Sequence, residues 1–241
     1  MANTGNAGID AATLQAAMVQ FQDLLAQNEK LLNDLNVYPV PDSDTGSNTL
    51  HTLKAGIANT VGQVSDLGEY ATNLSTGAAK SALGNSGVIL AQYLQGLAQG
   101  LAQTETPDQC SPREWQQALQ QAATVARESV LTPAEGTMLT VADAAANVPA
   151  QLDFQKYYQA VQIAVRAAVI ETQNMLPELV AAEVVDSGAL ALSFLHDSVA
   201  LSFGVTASPL QINSRKLVAT SYSGPAFELM FSAVCSQVIK A

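Results

Sequence analysis

Between Leu14 and Val205 the apolar residues of this 241-residue chain recur at helical spacing, and no convincing strand alternation competes with them. Leu14, Met18, Phe21, Leu25 and Leu32 share one face of a first helix. Leu50, Leu53, Ile57 and Val61 mark a second, starting around Ser47, and Leu90, Leu94, Leu97 and Leu101 a further one behind the glycines at 84 and 87. Ser111-Pro112-Arg113-Glu114 is a capping box with proline at the first helical position, opening a helix through Trp115 and Leu119. Phe154, Tyr157, Val161, Val165 and Ala168 line another, and Leu192, Leu195 and Val199 the last, from near Ser187. Shorter helical stretches are expected around 68–82, 137–147 and 176–183. Short connections between such helices favour antiparallel neighbours, so the expected fold is an all-α bundle or helical barrel.

With 48% apolar and 13% charged residues the chain can bury a sizeable core. The expected division is a helical domain over 1–205 and an appendage over 206–241. Within the appendage 210–213 and 216–222 read as short strands with a turn at 223–225, and 227–238 is apolar on too many sides for an exposed helix. Such a short piece cannot bury its own apolar surface. It docks on the bundle, pairs in a homodimer, or begins a further domain.

Ten Lys and Arg against 21 Asp and Glu leave a net charge of −11. That excludes nucleic acid as the main partner and disfavours an acidic membrane surface. Cys110 and Cys235 stand too far apart in sequence to suggest a metal or disulfide framework. The first residues have neither a basic start nor an apolar stretch, and 187–205 is interrupted by His196 and Asp197. No signal peptide and no membrane span are expected, and the expected location is the cytoplasm. The two histidines, His51 and His196, read as surface or packed side chains.

The chemistry concentrates at helix starts. In Leu35-Asn36-Val37-Tyr38-Pro39-Val40-Pro41-Asp42-Ser43-Asp44-Thr45-Gly46-Ser47-Asn48 the prolines keep the chain out of helix. If this segment is extended, Asp42 and Asp44 project to the same side. Thr45 to Asn48 would then offer amides and hydroxyls at a helix N-terminus, where anions are favoured. One reading is a helix cap plus a turn aspartate. The other is Mg²⁺ held by Asp42 and Asp44, with Asn36 near enough to add an oxygen if the chain bends back. Gly84-Asn85-Ser86-Gly87 suits either an inter-helix turn or a phosphate cradle. In Glu135-Gly136-Thr137-Met138-Leu139-Thr140, Thr137 caps a helix or touches phosphate, and Met138 and Leu139 are core or a wall for a purine. Asp186-Ser187-Gly188 follows apolar residues in the same way. Alternating loops of a bundle gather at one end, so the four make a metal–nucleotide site the leading expectation.

Together these motifs resemble the nucleotide-binding subunit of dihydroxyacetone kinases, and more closely the N-terminal kinase domain of bacterial fatty acid kinases. The pattern N-V-[FY]-P-V-P-D-G-D-T-G-T-N is matched from Asn36 to Asn48, with Ser43 for glycine and Ser47 for threonine. G-N-S-G-V-I-L is intact from Gly84 to Leu90, E-G-T-M-L-T-V from Glu135 to Val141, and V-D-S-G-G ends in Ala189. The resemblance covers about residues 10–205 and implies a barrel of eight antiparallel helices with ATP or ADP and two Mg²⁺ ions at one rim. It implies that Asn36, Asp42 and Asp44 hold metal, and that Thr45, Gly46, Asn48, Asn85, Ser86, Gly87 and Thr137 surround the phosphates. Met138 and Leu139 would lie near the adenine, with Asp186, Ser187 and Gly188 completing the pocket. The arginine common before G-N-S-G is Leu83 here, which makes Lys54 or Lys80 the candidate replacements. The implied activity is phosphoryl transfer from ATP to an acceptor presented by a partner protein of the acyl-binding or dihydroxyacetone-binding type. A nucleotide-binding adaptor without turnover is the alternative.

Overall fold

The computed structural model describes residues 8–60, 62, 66–206, 210 and 212. Their helices are α1 (Ala11–Asp34), α2 (Thr45–Ala58), α3 (Leu67–Lys80), α4 (Gly84–Leu101), α5 (Pro112–Glu128), α6 (Met138–Ala146), α7 (Phe154–Glu171), α8 (Pro177–Ala182) and α9 (Ser187–Ser202). Local chemistry sets most of the starts. Asp10, Asp66, Asp153 and Asp186 each accept an amide from the first turn of the helix they precede, and Ser111 with Glu114 completes the expected capping box.

The helices close a ring. Each of α1 to α7 packs on the next, α7 packs on α9, and α9 returns to α1. Eight members form the barrel, as expected. The ninth helix, α8, has six residues and packs mainly on the 3₁₀ turn Thr172–Asn174 between α7 and α9. Among the described residues there is no sheet, only one antiparallel bridge that ties Ile9 to the buried Cys110. No described helix is long and apolar enough to cross a membrane.

The interior is filled from every member of the ring, by Phe21, Leu53, Leu74, Tyr93, Trp115, Val141, Tyr157 and Leu192 among others. Its polar atoms are partly paired. Trp115 Nε1 donates to Tyr158 Oη at 2.6 Å, and Arg166 Nη2 meets Asp197 Oδ2 at 2.9 Å. His196 lies in this core 3.4 Å from Tyr93 Oη, and burial lowers its pKa to about 4, so it is neutral. Leu210 and Ile212 are partly buried against the same core and belong to no strand. Val61, Cys235, the reading of 216–222 as strand and the apolar run 227–238 lie outside the described residues.

The tightest helix contact is α4 on α5. A Cβ on Gly100 would stand 2.4 Å from Ala118 Cα, and one on Gly96 2.7 Å from Ala122 Cα. Two effects oppose each other at Gly100: alanine favours a helix by about 1 kcal/mol over glycine, whereas overpacking costs about 1–3 kcal/mol. The neighbour is backbone, which cannot rotate away. Gly100→Ala should therefore lower the denaturant midpoint at unchanged slope; a raised midpoint would contradict this packing.

Candidate functional site

In a ring of antiparallel helices every second member starts at the same end. The four motifs sit at the starts of α2, α4, α6 and α9, which are alternate members of the ring. There they border one cleft of about 450 Å³. Asn36, Asp42, Asp44, Thr45, Asn85, Ser86, Thr137, Met138, Leu139, Asp186 and Gly188 all line it.

The acidic loop departs from the extended course expected of it. Ser43 has φ +59°, so the chain turns between the two aspartates, and Tyr38–Pro39 is cis. Both aspartates nonetheless line the cleft. Asp44 occupies the N-cap position of α2 yet makes no side-chain capping bond, unlike the aspartates before α1, α3, α7 and α9. Helix capping therefore does not explain it.

The amides of the first turn of α2 are already taken. Thr45 N–H donates to Asn36 Oδ1 at 3.1 Å, Gly46 N–H to Asn33 Oδ1 at 2.8 Å, and Ser47 N–H to the same oxygen at 3.2 Å. Asn48 N–H donates to the Asp44 carbonyl at 2.8 Å. Asn33 and Asn36 and the Asp44 carbonyl engage these amides in this structure, so a phosphate would have to compete for them. Asn36 also accepts the Thr45 hydroxyl, and its Nδ2 donates to the Val40 carbonyl at 2.7 Å. Its oxygen is engaged twice, so ligating a metal would cost at least one of these bonds.

Gly46, Asn48, Gly87 and Ser187 do not line the cleft; each makes contacts between helices. A Cβ on Gly46 would strike the Glu29 carbonyl oxygen at 2.5 Å, and one on Gly87 the Thr52 hydroxyl at 2.5 Å. Asn48 Nδ2 lies 2.3 Å from where a Cβ on Gly84 would stand, at φ +60°, where glycine fits best. Ser187 Oγ donates to the Leu32 carbonyl at 2.6 Å, joining α9 to α1. Lys54 and Lys80 are exposed and off the cleft, and no Lys or Arg is among the described residues lining it. Neither histidine lines it.

The remaining walls are built by residues to which the motifs assigned no role. Tyr38, Pro39 and Val40 form one side, and Ser129, Val130, Leu131 and Thr132 after α5 another. Arg127 anchors the loop before α6 through Glu135 at 2.9 Å and through Asp143. Thr140 Oγ1 donates to Glu135 at 2.8 Å and accepts the Gly136 amide at 2.8 Å. The Thr140 hydroxyl, with Arg127 and against partial burial, holds the Glu135 carboxyl below its ordinary pKa. Thr137 donates to the Ala134 carbonyl at 2.8 Å and caps Leu139 N–H at 3.3 Å.

Among the described residues no three His, Cys, Asp or Glu side chains converge to form a complete protein cage for a metal. Mg²⁺ commonly takes one or two carboxylates, with waters and phosphate oxygens completing its shell. The uncapped Asp44, with Asp42 on a cleft whose described walls carry no Lys or Arg, fits that requirement.

The chain belongs to the DAK2 domain family, whose sequence profile matches residues 39–200. It is 34% identical over 196 residues to protein YloV of Bacillus subtilis, covering 78% of this chain and 35% of that protein. An uncharacterised protein of Staphylococcus haemolyticus is 32% identical over 208 residues, covering 83% of this chain and 36% of that protein. The chain thus spans about a third of the length of these relatives. Its fold matches a crystal structure of the dihydroxyacetone kinase from C. freundii in complex with AMP-PNP and Mg²⁺. The TM-score is 0.58 at 20% identity, over 80% of this chain and 33% of that one.

Asp186 gives the cleft a pH signature. It is buried, which raises its pKa from 3.8 to about 7 despite amide bonds from Ala189 and Gly188. Between those values the folded chain holds a proton that the unfolded chain has lost, so stability falls as pH rises, and levels off above about 7. Asp186→Asn keeps an oxygen for the Ala189 amide and removes the titration. Its unfolding free energy should lose that slope between pH 4 and 7 and exceed wild type by a few kcal/mol (about 1.4 per pKa unit) at pH 8. Parallel wild-type and variant curves would contradict the assignment.

Proposed function

We propose that the cleft binds ATP with Mg²⁺ and that this chain is the phosphotransferase domain of a kinase of the dihydroxyacetone and fatty acid kinase type. The observation that carries the reading is the convergence of Asp42, Asp44, Asn85, Ser86, Thr137 and Asp186 on one cleft from the starts of four helices. Asp42 and Asp44 would hold the metal, which supplies the positive charge that the phosphates need when it is bound. Asn85, Ser86 and Thr137 offer polar groups to the phosphates, and Met138, Leu139 and Val130 an apolar wall to the base.

In the transfer, an acceptor oxygen forms a bond to the γ-phosphorus as the bond to the β–γ bridging oxygen breaks and ADP leaves. Positioning and charge neutralisation carry most of the catalysis in such reactions. A carboxylate acceptor arrives already ionised and brings no proton to remove, which suits a cleft without a histidine. A hydroxyl acceptor would need a base. The acceptor is therefore read as a carboxylate, of the fatty acyl kind, presented by a separate binding protein in the cytoplasm. The functional unit in this reading is 1–205, with 206–241 an appendage.

A second reading, a nucleotide-binding adaptor without turnover, is favoured by the lack of Lys or Arg among the described residues of the cleft wall. Calorimetric titration with AMP-PNP tests the first step of both. Wild type should bind in a Mg²⁺-dependent manner. Asp42→Asn and Asp44→Asn should each weaken that binding by at least about tenfold, ~1.4 kcal/mol. Asp44→Asn should leave the melting temperature unchanged, because its carboxylate caps nothing. No Mg²⁺-dependent binding in wild type would overturn the proposal; binding without phosphate transfer to any acyl-loaded partner would favour the adaptor.

A further inference from the structure

The first turn of α2 is seated on α1 by a directed chain of hydrogen bonds. Ser47 Oγ donates to Glu29 Oε1 at 2.7 Å, and Asn33 Nδ2 donates to Ser47 Oγ at 3.0 Å. A hydroxyl has one proton. Once it points at Glu29, only lone pairs face Asn33, so the carboxamide must turn its nitrogen to Ser47. Its oxygen is thereby aimed at α2, where it accepts the amides of Gly46 and Ser47 at 2.8 and 3.2 Å. Gly46 makes room for the seat, since a Cβ there would stand 2.9 Å from Asn33 Oδ1 and 2.9 Å from Leu32 Cβ.

We propose that Asn33 is a positioning residue for the metal–nucleotide site, setting where Asp42 and Asp44 stand without touching the ligand. The inference rests on the reading of the cleft as a Mg²⁺–nucleotide site. Asn33 is not among the lining residues. Asp44 directly precedes the seated turn, and its carbonyl accepts the Asn48 amide at 2.8 Å, so the far end of the acidic loop moves with α2. The near end is tied to the same turn by Asn36, through Thr45 and the Val40 carbonyl. Ser86 and Asp186 stand on other helices. A tilt of the first turn of α2 would carry the carboxylates away from them, and a misplacement of about 1 Å can cost two orders of magnitude in a site of this kind. An ordinary cap would affect stability alone.

Two variants of the full chain separate these roles. Asn33→Ala removes the seat, whereas Asn33→Asp keeps oxygens for both amides, loses the Nδ2 donor and adds a negative charge, which the start of α2 favours. Without nucleotide, hydrogen exchange at Gly46 and Ser47 should quicken by about tenfold or more in Asn33→Ala and stay slow in Asn33→Asp, with α5 to α7 unchanged in both. In titrations with AMP-PNP and Mg²⁺, Asn33→Ala should weaken binding by about tenfold or more and Asn33→Asp by less than about threefold. Without Mg²⁺ the three proteins should not differ. Unchanged protection in Asn33→Ala overturns the seat, and faster exchange with unchanged Mg²⁺-dependent affinity overturns its coupling to the site. If wild type itself shows no Mg²⁺-dependent binding, the functional reading falls and the positioning role with it, while the exchange data still decide the seat.

Discussion

The hydrogen bonds that the amides of Thr45, Gly46 and Ser47 donate to Asn33 and Asn36 are the constraint on which the cleft depends. A helix begins with amides that have no partner within the helix, and here the end of the preceding helix supplies acceptors. Two adjacent members of the barrel are locked together where the chain between them must make a ten-residue excursion, Leu35 to Asp44, and return. The acidic loop is thus held at both ends by Asn33 and Asn36, and Asp42 and Asp44 line the cleft.

That arrangement decides how an anion can be met. A free helix N-terminus attracts phosphate through its amides and dipole. At α2 the amides are engaged, and the described walls of the cleft carry no lysine or arginine. A triphosphate entering such a place beside Asp42 and Asp44 would meet negative charge first. A divalent cation held by Asp42 and Asp44 would supply the missing positive charge, which makes metal dependence the central requirement of the proposed chemistry. The apolar sides of the cleft, Met138, Leu139, Val130 and Ile89, suit the part of a nucleotide that carries no charge.

Most of the architecture was legible in the sequence because the helices are amphipathic and their starts are marked. Capping residues, glycines and hydroxyls precede most of the apolar runs, and the alternation of helix direction explains why residues as far apart as Asp42 and Asp186 meet. Helix spacing alone could not separate α8 from the ring, since six residues carry too little period to show how they pack. The turn at Ser43 was masked by its residue type: serine stands at φ +59°, where the pattern it resembles has glycine. Asn36 was legible as important and less so in its role, because an asparagine can ligate, cap or clamp, and its partners here are Thr45 and Val40. Asn33 gave no signal at all. It sits in the last turn of an amphipathic helix, where a half-exposed asparagine is ordinary until the next helix lies across it.

The account turns on metal-mediated binding of phosphate by Asp42 and Asp44. The most direct measurement is anomalous diffraction from Mn²⁺ in crystals grown with AMP-PNP. The account predicts a metal peak between these two carboxylates and the phosphate oxygens, with Asn33 and Asn36 still bonded to the first turn of α2. Phosphates seated directly on the amides of Thr45 to Ser47, with both asparagines displaced and no metal at Asp42 and Asp44, would contradict it.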